Sequence, residues 1–189
     1  RELVVPNEDG SEDESNERFI VTAFLANSSS YLTLQASKDT DTGFPRYIDI
    51  PGITTPDSSE NVIQINTLVN ILVFDENNIF VVGNDTTNHT SMILKFTLDT
   101  SSGQFSFVET KLISQEDDNN YYKTIYAEKH DYEGESSIIV FYEQGEDEFS
   151  NFSISSFSLD FSEQKNIGFF LGSTRVPIVD TKIMNFKVK

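Results

Sequence analysis

Few residues in this 189-residue chain are of a type and spacing that could do chemistry. The two histidines are His89 and His130, and there is no cysteine. A zinc site gathers three or four His, Cys or carboxylate ligands, and neither histidine has a second His or a Cys near it in sequence. Both read as ordinary surface residues. The absence of cysteine also excludes disulfides and thiolate metal sites within the chain. Carboxylates are plentiful, 31 against 13 Lys and Arg. Asp39-Thr40-Asp41-Thr42-Gly43 places Asp at alternating positions, like the start of a calcium loop. The twelfth position of such a loop falls on Ile50, which has no oxygen to offer, so a turn is the better reading and a weak calcium contact the most it could give. Glu116-Asp117-Asp118 and Glu146-Asp147-Glu148 read as solvated loop charge. Nothing selects a catalytic pair among the acids. No G-x-S-x-G, P-loop or Gly-rich dinucleotide turn is present. Asn27, Asn84, Asn88 and Asn151 each head a glycosylation acceptor triplet, about what this Asn-, Ser- and Thr-rich composition yields by chance. The sequence therefore assigns no catalytic, cofactor-binding or metal-binding residue, and no enzyme is expected.

Charge narrows the partners. A formal charge of −18 repels phosphate backbones and anionic lipid, so direct nucleic-acid binding is not expected. A protein partner, of basic character, is the sharper expectation. No run of about 18 apolar residues exists to span a bilayer, and no membrane insertion is expected. An intracellular setting, nuclear or cytoplasmic, is favoured over secretion. The chain opens at Arg1 without Met or an apolar leader, and reads as a mature form, a trimmed chain or part of something longer.

The elements that would have to position any site are strands. Residues 1–18 read as an acidic flexible segment, because Leu3-Val4-Val5 is followed by an acidic polar run. Residues 19–189 read as one all-β domain. The stretch 71–110 holds four apolar runs, ILVF, IFVVG, SMILKFTL and QFSFV, split by turn residues. That pattern predicts a four-stranded antiparallel meander. Further strands are predicted at 19–26, 31–36, 46–50, 61–66, 121–128, 137–143, 152–160, 167–171, 176–179 and 182–188. Nowhere does a 3.6-residue apolar stripe run for ten residues, so no helix is expected.

A repeat organises these strands. MILKFTLDTSSG (92–103) lies over LTLQASKDTDTG (32–43) at an offset of 60, with Asp99, Thr100 and Gly103 on Asp39, Thr40 and Gly43. FIVTA at Phe19 and IFVVG at Ile79 share that offset. ILKFTLD (93–99) lies over ISSFSLD (154–160) at an offset of 61, matching Phe96, Leu98 and Asp99 with Phe157, Leu159 and Asp160. About three units of roughly 60 residues follow, each a meander whose third strand ends in Asp. That carboxylate would bond backbone N–H groups two residues on and start the turn. Gly83 and Gly103 are both assigned to turns.

FTLDTSSGQFSFVET (96–110) resembles the strand-turn-strand of lactonase-like, seven-bladed propellers. It is also similar to blades of the large nuclear scaffold propellers of the damaged-DNA-binding and cleavage-factor type. The resemblance implies a β-propeller-type fold of four-stranded blades, with a β-sandwich or barrel as the alternative. Three units are too few for a closed ring, which typically takes 4–8 blades. Completion by a larger assembly, pairing of the terminal strands, or packed sheets would resolve this. The lactonase likeness would require acidic, histidine and arginine groups converging in a channel, and no residue here matches them. The expected function is a non-catalytic protein-binding platform, a subunit or segment of a larger assembly. The alternatives are a lactonase-like or carbohydrate-binding propeller, or an extracellular adhesion or surface domain.

Overall fold

The computed structural model of the chain describes residues 1–5, 17–25, 32–38, 46–48, 65–113, 122–145 and 151–171. The strands are β1 (Glu2–Val5), β2 (Glu17–Leu25), β3 (Leu32–Lys38), β4 (Arg46–Ile48), β5 (Thr67–Asp75), β6 (Asn78–Asp85), β7 (Thr90–Asp99), β8 (Gln104–Leu112), β9 (Tyr122–Tyr132), β10 (Glu135–Gln144), β11 (Asn151–Ser158) and β12 (Gln164–Leu171). They form three four-stranded sheets, β1–β4, β5–β8 and β9–β12, each an antiparallel meander in chain order. The chain is all-β, with no helix among the described residues and no closed barrel.

The middle sheet lies between the other two, and residue alternation along its strands builds two separate cores. Ile79, Val81, Met92, Leu94 and Phe96 face the first sheet, against Phe19, Val21 and Leu34. The intervening Leu72, Phe80, Val82 and Ile93 face the third sheet, against Ala127, Ile138, Val140, Tyr142 and Phe157. Strand β6 is therefore buried on both faces, which is why Ile79 to Val82 is continuously apolar rather than alternating. Phe80 is wholly buried, and hiding such a side chain contributes about 2–3 kcal/mol. The first strands of the sheets lie side by side: β5 touches β1 and β2, and β9 touches β5, β6 and β7.

Turn chemistry follows the sequence closely. The Asp99 carboxylate, at the end of β7, accepts from Ser101 N at 3.0 Å, and Gly103 (φ 72°) closes the loop by donating to Asp99 O at 2.7 Å. Asp160, after β11, accepts from Ser162 N at 3.1 Å. Hydroxyl donation, from Ser101 and then Ser102 to Asp99, and from Ser158 and then Ser162 to Asp160, pulls both carboxyls down to about 2. Between β9 and β10 a two-residue turn, Glu133 (φ 50°) and Gly134 (φ 85°), has the paired positive φ of a type I′ hairpin.

Several expectations are corrected. The barrel alternative finds no support, since none of the three sheets closes among the described residues. Gly83 is not a turn residue: it lies inside β6, where a Cβ would meet Ile65 and come within 2.9 Å of Thr67 O. Strand β5 starts at Thr67, after the expected 61–66 strand; Ile65 and Asn66 are not in a strand, and 61–64 lie outside the described residues. Within 1–18, residues 2–5 form β1 and pair with β2, and residues 17–18 belong to β2. The remainder of that segment, like the strands expected at 176–179 and 182–188, lies outside the described residues.

The repeat holds unequally. Between the second and third sheets the sequence alignment matches the structure: Asp99, the last residue of β7, and Asp160, just past the end of β11, open equivalent turns, and Ile79 and Leu94 face backward as Ile138 and Ser155 do. Between the first and second sheets the 60-residue alignment sets Phe19 on Ile79 and Leu34 on Leu94, yet these residues face one another across one core. Copies related by rotation turn equivalent residues the same way round. This alignment therefore does not describe a rotational copy, because an odd shift in a strand exchanges its faces.

Candidate functional site

The two histidines that the sequence reads as surface residues lie apart from any cluster of ligating side chains among the described residues. His89 sits in the exposed β6–β7 loop at φ 57°, a conformation His tolerates better than most, and its carbonyl accepts from Tyr122 N at 3.2 Å. His130 is half-buried on β9, its ring parallel to that of Tyr132 (interplanar angle 7°). No group of three or more metal-ligating side chains is assembled among the described residues. The Asp39–Gly43 tract, both acidic triplets and Asn27 lie outside those residues.

The remaining acceptor asparagines differ. Asn84 is 1% exposed and joins two sheets. Its Nδ2 donates to Thr124 O at 3.0 Å, and its Oδ1 accepts from Thr124 N at 2.8 Å, so a β6 side chain completes the backbone bonding of β9. Beside it, the Ser91 and Thr124 hydroxyls are 2.5 Å apart. Buried and doubly bonded, the Asn84 amide is not a glycan site in the folded chain. Asn88 is exposed, with its amide on Asp85 Oδ2 at 2.6 Å, and Asn151 is half-buried at the start of β11.

A second polar link ties the first strands together. Arg1 Nη2 donates to Asn70 Oδ1 at 3.3 Å, and Asn70 Nδ2 donates to Ala127 O at 2.8 Å. One chain of contacts thus runs from the first sheet through the second to the third. Such bonds fix how sheets sit on each other; the Asn84–Thr124 pair is buried, where leaving a polar group unpaired is costly, whereas the Arg1–Asn70 contact is exposed.

Apolar groups open to a partner lie on the outer faces of the first and third sheets, besides Val108 and Leu112 on β8 of the middle sheet. On the first sheet, Val4, Ile20 and Phe24 are each 46% exposed. On the third sheet, Phe141 pairs with Ile154 across β10 and β11 and stacks on Phe152, with centroids 5.7 Å apart. Farther along the same face is a cleft of about 280 Å³ over Ile139, Ser156 and Ser158, walled by Tyr132 and by Lys165 and Ile167. Its rim is charged. Lys165 is 2.8 Å from Glu163, which raises the Lys165 ammonium. Ser136 Oγ donates to Asp131 at 2.5 Å and holds that carboxyl below the usual range. The sequence reading missed this cleft. The available signal was the unbroken apolar run Ile138 to Tyr142, which, like Ile79 to Val82, is written for a strand covered on both faces.

Comparison with family models, curated proteins and solved structures returned no match. No helix among the described residues is long and apolar enough to cross a membrane.

Proposed function

We propose that this chain is a non-catalytic protein-binding platform, a segment of a larger propeller-type stack of sheets. One observation carries the reading. Strands β6 and β10 are both continuously apolar; β6 is enclosed by a sheet on each side, whereas the described residues provide β10 with a neighbouring sheet on one side. Phe141, Phe152 and Ile154 then form an apolar face suited to a further layer of protein. The chain's net charge of −18 favours a partner of opposite charge.

Hydroxyl-radical footprinting tests this, comparing the native protein in extract with the purified chain. Phe141 and Phe152 should be labelled in the purified chain and protected in the native assembly. Phe141→Asp, with its unfolding transition retained, should abolish both the protection and the co-migrating partner. Equal labelling of both aromatics in the two settings would refute the platform.

A further inference from the structure

The cleft on the third sheet has a filled counterpart on the second. There, Phe80 is flanked by the Phe74 ring at 5.7 Å and, on another side, by Phe161 at 5.7 Å. Phe161 and Leu159 belong to the turn that follows the third strand of the next sheet. Lys95 secures that turn, its Nζ donating to Leu159 O at 2.8 Å while lying over the Phe80 ring.

Register identifies the counterparts. Phe80 on β6 pairs with Lys95 on β7, four residues before the turn Asp99. Ile139 on β10 pairs with Ser156 on β11, four residues before the turn Asp160. Ile139 thus stands for Phe80, and Ser156 for Lys95. Both replacements are smaller, which leaves the cleft. Tyr132, at the end of β9, stands as an aromatic wall much as Phe74 does near the end of β5. The missing cation is supplied from the neighbouring strand, because Lys165 lies opposite Ser156 in the β11–β12 pair.

Resting on the platform reading above, we infer that this cleft is a socket for an aromatic side chain carried on a strand-to-strand turn of another protein's β-sheet, with Lys165 bonding that turn's backbone carbonyl as Lys95 bonds Leu159. The interface between the second and third sheets is thereby continued outward one layer. A second copy of this chain is the poorer occupant, since each copy brings a net charge of −18.

The probe is a head-to-tail cyclised peptide of residues 155–166, SSFSLDFSEQKN, which carries the turn that fills the second-sheet socket. It is titrated to about 1 mM, the weak-binding range, into the isotope-labelled full chain followed by NMR. Shifts are expected at Ile139, Ser156 and Tyr132. They should vanish when the peptide carries Ala in place of Phe161, and when the protein carries Ser156→Trp, which fills the cleft from an accessible position. Ile139→Ala should weaken them; should that variant fail to fold, Ser156→Trp still decides. No shift, shifts at Phe80 and Lys95 instead, or the same shifts elicited by a neutral hexose would each overturn the socket. Self-association of the chain blocked by Ser156→Trp would also overturn it, in favour of a second copy. Should the peptide fail while Phe141→Asp still dissociates the native assembly, the platform stands and the socket alone is wrong.

Discussion

Asn84→Ala is the sharpest test of how the second and third sheets are joined. The substitution removes one acceptor and one donor from a buried site and leaves Thr124 N–H and C=O without the partners they have at 2.8 and 3.0 Å. A buried backbone group stripped of its partner costs about 1–3 kcal/mol, so the pair gives a loss of about 2–6 kcal/mol. Against a typical domain stability of about 5–15 kcal/mol, that is a large fraction. For a chain of this size the midpoint should fall by about 2–4 °C per kcal/mol. Urea unfolding followed by far-UV circular dichroism measures the loss, and amide hydrogen exchange at Thr124 localises it. Asn84→Asp adds a sign. The new carboxylate would sit buried against Thr124 O, so its folded pKa is raised above the ordinary value near 3.9. The folded state then holds the extra proton, and stability relative to wild type falls as pH rises from about 4 through the raised folded value. Protonated, the group can donate to Thr124 O as the amide does. A loss under about 0.5 kcal/mol for Asn84→Ala, with unchanged exchange at Thr124, would refute the clasp; so would an Asn84→Asp variant whose deficit grows toward acid.

Other outcomes follow from the same geometry. Gly83→Ala should destabilise by about 1–3 kcal/mol, because the new Cβ collides with Ile65 and with backbone oxygen of Thr67; thermal melts against a Gly134→Ala control, where space is open but φ is positive, separate clash from strain. Lys95→Met should cost about 1–2 kcal/mol by removing the bond to Leu159 O while keeping the aliphatic stem on Phe80, with exchange loosened around 159–161. Asp99 and Asp160, with folded pKa values of about 2, stabilise the fold above the ordinary carboxylate value, and that contribution disappears as pH falls from about 4 to 2. Carbon-detected NMR titration of the two carboxyls checks this, and Asp99→Asn should flatten the acid side of the stability curve. If the chain is made in a glycosylating cell, folded material should carry no glycan at Asn84, which mass spectrometry reads directly.

Much of the fold was legible in the residues alone. Alternation, β-branched and aromatic runs, and turn chemistry located most strands, and the Asp-initiated turns at 99 and 160 formed with the bonds that a carboxylate at a strand end dictates. These are local signals, decided within a few residues of chain. The paired meanders of the second and third sheets were also visible as an offset of 61. Strand β1 was missed because three apolar residues beside an acidic run carry too little local preference, and only its pairing with Leu3 opposite Phe19 makes it a strand. Gly83 was misread for a related reason: a turn and a close approach both call for glycine, and only the position of Ile65 distinguishes them.

What the sequence by itself determined is the inventory: an acidic all-β chain, the places where strands turn, and the absence of a recognisable catalytic motif. What the tertiary structure decided is which way each strand faces. Side chains alternate with a period of two, so a one-residue error leaves the strand prediction intact and reverses its burial; this is how Phe19 and Ile79 came to be aligned as copies although both point into the same core from different sheets. The same holds for Asn84, which in sequence is one acceptor triplet among four and in space is a buried link between two sheets. Long-range packing supplies the partner that turns a residue type into a role, and no spacing along the chain encodes which strand that partner will come from.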